Sequence, residues 1–293
     1  MLLKKYIKNF IHTLLGKFGY QIVAKCKAVD INAYSRFEKE SINERLFFNV
    51  GAGSFSHPYW TNIDYQSSGY ANIQGIFIEH NLMEFGEFSI KSNTAECIYT
   101  SHTVEHVTNE AVEVLFREAF RCLKKGGVIR VTTPDVELNY SAYQNKDRSY
   151  YYFSDMYSMK GTYEDKFKIP YNQFSFPQLF LHQIAGQLVP NDIRRGGSGV
   201  KLPDDKIEEI ISSNSLEDAC DIFIEMCKFD SSQANNHVNW WSYGKLKKML
   251  ADAGFDVIYR SGYGQSRMNI LRDTNYFDNT HPAISLYVEA VKV

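Results

Sequence analysis

The sequence predicts an α/β protein built on a doubly wound, mostly parallel sheet. Three observations carry that expectation. Short apolar runs alternate with helix-length amphipathic stretches from Leu46 onward. Gly51 and Gly53 stand directly after the first apolar run, where a chain leaving a strand turns closely past a ligand into a helix. The alternation stops near Asn139 and resumes after Asn235, as an insertion into a single sheet would make it do.

The elements follow in order. Leu2, Leu3, Tyr6, Ile7, Phe10, Ile11, Leu14, Leu15 and Phe18 recur at helical spacing, with Gly19 as a stop and Lys4, Lys5, Lys8 and Lys17 adding positive charge. This amphipathic helix suits a contact with its own domain, a dimer contact or a membrane surface. It belongs to an N-terminal helical extension over residues 1–45. Leu46–Val50 reads as the first strand, Trp60–Tyr65 as the second, Ile76–Ile78 as the third and Ala95–Thr100 as the fourth. A helix over Asn109–Leu123 has Val112, Leu115, Phe116, Ala119 and Leu123 on one face. Lys124-Lys125-Gly126-Gly127 supplies the cations and glycine that close a helix. Val128–Thr132 is the fifth strand, stopped by Pro134.

Residues 139–235 are rich in tyrosine and carry Pro170, Pro177, Pro190 and Pro203, with helical stretches near Pro177–Leu188 and Leu216–Cys227. They read as an inserted lid over the ligand edge of the sheet. The core is then 46–138 together with 236–293. It ends with a helix at Tyr243–Ala253 capped by Gly254, a strand at Phe255–Arg260 and a last strand at Ile284–Val291.

Composition narrows the function. Of 293 residues, 44% are hydrophobic and 23% charged, which excludes a disordered chain. Lys and Arg total 32 against 34 for Asp and Glu, so the basic excess of a nucleic-acid binder is missing. The five cysteines are Cys26, Cys97, Cys122, Cys220 and Cys227, odd in number and without a CxxC pair. That argues against disulfides or a cysteine zinc site and for a reducing cytoplasm. No apolar run approaches the ~18 residues of a membrane-spanning helix, and Lys8 and Asn9 interrupt the apolar stretch of a secretory signal. Aromatic residues, at 15%, suggest ring-lined pockets or interfaces.

The chemistry begins at Asn49-Val-Gly51-Ala-Gly53. A dinucleotide fingerprint needs a third glycine and an acidic residue about 20 positions on. Here Ser56 holds the third position and Asp64 lies 13 residues after Gly51, which weakens a nicotinamide reading. A carboxylate at the end of the second strand can accept both ribose hydroxyls of a nucleoside. His102-Thr-Val-Glu105-His106 would share one face at the start of a helix, and with the distant His237 could ligate zinc, iron or manganese. The competing reading has Glu105 and His106 buttress the cofactor loop, and no metal ligand is assigned.

Several segments in order, Gly51-Ala-Gly53, Trp60-Thr-Asn-Ile-Asp64, Ala95–His106, Phe116–Gly127 and Thr133-Pro-Asp135, resemble the class I S-adenosylmethionine-dependent methyltransferases. The resemblance is to the small-molecule branch found in bacterial surface-polysaccharide biosynthesis. His237–Tyr243, Ala253-Gly-Phe255 and Ser285–Ala290 extend it. It implies a seven-stranded Rossmann-like sheet with the last strand antiparallel, and S-adenosylmethionine over the strand C-termini. Gly51, Ala52 and Gly53 would lie along the methionine part, Asp64 and Tyr65 at the ribose, Asn81 and Leu82 beside the adenine, and Ser101, His102 and His106 near the sulfonium. Asn49 and Asn81 stand where acidic residues are usual, so a non-catalytic subunit of the same fold remains an alternative, and a nicotinamide oxidoreductase a more distant one.

Methyl transfer to a hydroxyl needs alignment and a proton acceptor. The candidates are His102, Asp135 and His237. The implied acceptor is a sugar, a nucleotide-activated sugar or a related capsule or lipopolysaccharide intermediate, with Arg194, Arg195 and the glycines after them as a phosphate grip or a solvated loop.

Overall fold

A computed structural model describes residues 29–66, 75–154, 174–189, 202–231, 234 and 236–293. The N-terminal helix expected over residues 2–18 and the Arg194–Gly199 loop lie outside the described residues. The chain divides into two compact units, Met1–Ile31 and Asn32–Val293. The sheet and the helices packed on it belong to the second.

Among the described residues, seven strands form one sheet: β1 (Phe47–Val50), β2 (Thr61–Asp64), β3 (Phe77–Glu79), β4 (Ala95–Ser101), β5 (Leu123–Pro134), β6 (Val257–Arg260) and β7 (Ser285–Val291). Their order is β3-β2-β1-β4-β5-β7-β6. β1 to β5 pair in parallel, and β7 runs antiparallel to both β5 and β6. This is the mostly parallel Rossmann-like sheet expected. β1 is buried at all four positions, as a central parallel strand covered on both faces should be.

Alternation along the strands sends Phe48 and Val50, Ile129 and Val131, and Leu286 and Val288 to one face. There they meet α2 (Asn109–Cys122) and α8 (Tyr243–Asp252) through Val112, Leu115, Phe116, Ala119, Leu246 and Leu250, all fully buried. Each such aliphatic side chain contributes about 1.5–3 kcal/mol by leaving water. A second cluster gathers α3 (Val136–Gln144), α4 (Arg148–Ser154), α5 (Phe176–His182), α6 (Asp204–Ser213) and α7 (Leu216–Glu225) around Tyr151, Leu179, Phe180, Ile207 and Phe223. A short α1 (Lys39–Asn43) precedes β1. Among the described residues, no helix is long and apolar enough to cross a membrane.

Four expectations need correction. No helix follows Gly53; residues 51–60 turn directly into β2, because the interval to Thr61 is too short for more. Lys124–Gly127 do not close α2. Leu123 is already extended, at φ −62° and ψ 141°, and the segment opens β5, with Gly126 N donating to Lys292 O beside the end of β7. Residues 139–235 contain α4 and α6 as well as the two stretches foreseen, and α3 straddles the 138/139 boundary. Finally, many of the aromatics are core. Tyr34, Phe47, Phe55, His57, Trp60, Tyr276 and Phe277 pack ring to ring at centroid distances from 4.6 to 6.4 Å on the sheet face opposite α2.

His57 in that cluster has its imidazole pushed down to about 4 by burial. The folded state therefore favours the neutral ring, whose stabilisation is complete above pH 6.5 and declines as pH falls toward 4. Urea unfolding should show about 1–2 kcal/mol less stability at pH 5 than at pH 7 from this group. His57→Gln should flatten that part of the profile, and an unchanged profile would contradict the burial argument.

Candidate functional site

The site forms where β1, β2 and β4 end together. Val50 pairs with Ile63 and with Thr100, so the register brings Gly51, Asp64 and His102 to one edge. Gly51 and Gly53 adopt φ of 65° and 55°. A Cβ on Gly51 would meet Thr103 Cγ2 and Oγ1 at 2.2 Å, so a side chain fits neither the backbone conformation nor the space. Gly51→Ala is expected to cost about 1–3 kcal/mol through that strain, read as a lowered Tm. An unchanged Tm would show that the turn has room for a methyl group.

Asp64 is held by its own turn. Oδ2 accepts from Gly53 N at 2.7 Å and Oδ1 from Tyr65 N at 2.7 Å. Burial raises its carboxyl, and the backbone N–H groups of Gly53, Tyr65 and Ala52 oppose the rise. Each carboxylate oxygen keeps acceptor capacity for a ligand hydroxyl.

A cleft opens beside it, with about 850 Å³ of empty space counting its open mouth. Of the residues expected at the cofactor, Gly51, Asp64, Tyr65, Asn81, Leu82, His102 and His106 line it. Asn49, Ala52, Gly53 and Ser101 do not. Asn49 is buried within β1 with Oδ1 lacking a hydrogen-bond partner, Ala52 and Gly53 act through Asp64, and Ser101 Oγ accepts from Thr132 Oγ1 at 2.7 Å. Asn81 caps a 3₁₀ turn, Oδ1 accepting from Met83 N. His80, Met83, Thr103, Val107 and Phe229 also line the cleft and were missed. Thr103 and Met83 adjoin residues already singled out, whereas nothing local in the sequence marks Phe229.

His102 and Glu105 are not on one helix. Only Val104–His106 forms a 3₁₀ turn, and His102 precedes it at φ 51°. The turn still gathers their side chains: His102 Nδ1 lies 3.1 Å from Glu105 Oε1, and His102 Nε2 lies 2.8 Å from Ser285 Oγ. Burial alone would raise the Glu105 carboxyl. His102, with the nearby His106 and His237, outweighs it and brings the value down to about 2.

A second, much smaller hollow adjoins Glu105, with about 280 Å³ of empty space counting its open mouth. Asp135, Asn139, Tyr150, Gln183, Asn239 and Trp240 contribute to its lining. Asp135 is fully engaged as the N-cap of α3: Oδ1 accepts from Glu137 N and Leu138 N, and Oδ2 from Arg260 at 2.5 Å. His237 lines neither pocket; its ring lies 4.9 Å from that of His106. Its Nδ1 donates to Gln183 O at 2.7 Å.

Residues 59–131 match the family model described as a methyltransferase domain. No curated protein matches the chain. Among solved structures, the citrinin polyketide synthase CMeT domain is 11% identical at TM-score 0.35, covering 84% of this chain and 46% of that one. The S-adenosylmethionine-dependent methyltransferase SibL is 11% identical at TM-score 0.36, covering 84% and 50%. A possible histamine N-methyltransferase from Thermotoga maritima is 12% identical at TM-score 0.37, covering 90% and 96%. The chain thus spans about half the length of the first two. The domain match and the strand order support a class I S-adenosylmethionine-dependent methyltransferase at the general level, with S-adenosylmethionine as the cofactor.

Proposed function

We propose that the protein transfers a methyl group from S-adenosylmethionine to an oxygen of a small polar acceptor, such as a sugar or a nucleotide-activated sugar of surface-polysaccharide synthesis. The observation that carries this reading is the adjacency of two pockets. One ends at the carboxylate of Asp64 and suits a nucleoside; the other is small, polar and aromatic, and both border the Glu105–His106 turn. In the reaction the acceptor oxygen bonds to the methyl carbon as the carbon–sulfur bond breaks. S-adenosylhomocysteine leaves as a neutral sulfide, and the hydroxyl proton is released. The protein's task is chiefly to align oxygen, carbon and sulfur.

Of the three catalytic candidates, Asp135 has both oxygens committed and serves the pocket as a positioning residue. His102 is held between Glu105 and Ser285 and serves the sulfonium end. His237 is assigned to the acceptor hydroxyl: with Nδ1–H given to a carbonyl, its neutral ring carries the lone pair on Nε2. Tyr150 and Gln183 reach the second pocket from residues 139–235, which supports a lid role for that segment.

His237→Ala should leave S-adenosylhomocysteine affinity within about threefold and lower kcat by about 10²–10⁴ on an acceptor sugar. Unchanged kcat would remove His237 from the reaction.

A further inference from the structure

We propose that Glu105, His106 and His237 form a divalent-cation site where the cofactor cleft meets the second pocket. A carboxylate oxygen of Glu105 and one ring nitrogen of each histidine lie within 4.8 Å of one another. Both rings are oriented for ligation. His106 Nδ1 donates to Asn236 O at 3.0 Å and His237 Nδ1 to Gln183 O at 2.7 Å. A carbonyl can only accept, so each neutral ring has its lone pair on Nε2, the arrangement seen where a metal-binding imidazole is fixed through its other nitrogen.

Glu105 supplies an independent observation. Its side chain is 1% exposed. Oε2 accepts from Thr133 Oγ1 at 3.1 Å, whereas Oε1 pairs with His102 Nδ1 at 3.1 Å and lies 3.9 Å from His106 Nε2, with lone-pair capacity left for an ion. A buried carboxylate needs its charge compensated, and a cation does so directly. The platform is rigid as well: the Glu105 carbonyl accepts from both Val238 N and Asn239 N, at 2.9 and 3.1 Å, tying the 104–106 turn to the extended segment that bears His237. Ligand atoms at about 2.1 Å from one ion stand about 3.4 Å apart. The three groups therefore draw together by about an ångström on binding, within reach of small side-chain rotations.

Two imidazoles and one carboxylate leave coordination positions open and suit manganese(II), zinc or iron(II). With the ion bound, His237 Nε2 is committed to it, so the ion takes over the part assigned to the free ring: it would bind the acceptor oxygen and ease release of its proton to solvent. That role rests on the methyltransferase reading; the binding site does not.

The test uses the full-length, chelator-treated protein titrated with Mn²⁺ and with Zn²⁺, followed by calorimetry and Mn²⁺ electron paramagnetic resonance, alongside S-adenosylhomocysteine. One ion per chain should bind, and His106→Gln and His237→Gln should each weaken it by about 100-fold or more, with His237→Gln keeping S-adenosylhomocysteine affinity within about threefold. Glu105→Gln should act likewise; if it fails to fold, the histidine variants decide. Protein that binds S-adenosylhomocysteine but no ion, or variants that bind the ion as tightly as the parent, would overturn the site. Ion binding lost in the variants, with no S-adenosylhomocysteine binding in any of them or in the parent, would uphold the site and overturn the methyltransferase reading instead.

Discussion

Asp64→Ala is expected to abolish measurable binding of S-adenosylhomocysteine, a loss of at least about 100-fold. The carboxylate does two things at once. It accepts Gly53 N and Tyr65 N, which fixes the turn after β1, and it lines the cleft, where it is proposed to accept ribose hydroxyls. Hydrogen bonds to a charged group contribute about 1.5–3 kcal/mol each, so losing two ribose contacts and the turn's anchor reaches that magnitude. Asp64→Asn separates the parts: its amide oxygen can still accept one backbone N–H, so the fold should survive while affinity drops by about 10-fold or more. Calorimetric titration and thermal unfolding of both variants give the answer. Normal affinity in Asp64→Ala would dissociate the cleft from the cofactor.

Arg130→Met should be the most destabilising single change on the opposite sheet face. Arg130, Asp278 and Glu289 have side chains with 0% exposure. All five guanidinium N–H groups are used: Nε and Nη2 on Asp278, Nη1 on Glu289 and Ser261, and Nη2 again on the Gly262 carbonyl. Tyr259 OH and Arg267 N complete Glu289, and Gly264 N bonds to Asp278. Methionine fills the space but leaves two carboxylates buried without a cation, which costs about 3–5 kcal/mol. For a domain of this size that is about 10 °C in Tm. Arg130→Lys should recover little of it, since an ammonium cannot reproduce the planar fork. Loss of less than about 1 kcal/mol in Arg130→Met would show the network to be dispensable.

The sheet was legible because its strands obey local rules. The apolar runs at 46–50, 95–100 and 284–291 are long enough to be read without partners, and the glycine turn and Asp64 carry their chemistry in their spacing. What escaped depends on contacts distant in sequence. Whether Lys124–Gly127 ends a helix or starts a strand is decided by pairing with Lys292, far along the chain. Arg130 reads as an ordinary strand residue until Asp278 and Glu289 close on it, and Asp135 reads as a candidate proton acceptor until α3 and Arg260 claim its oxygens. His102, Glu105, His106 and His237 all stand out in the sequence, but their mutual distances come from a 3₁₀ turn and two backbone carbonyls that no local pattern encodes.

The most direct measurement is calorimetric titration of the purified protein with S-adenosylhomocysteine, with NAD and NADP in parallel. Saturable binding of S-adenosylhomocysteine at one per chain, with neither nicotinamide nucleotide competing, is the result expected of this cleft. Binding of a nicotinamide nucleotide in its place, or of none of the three, would contradict it.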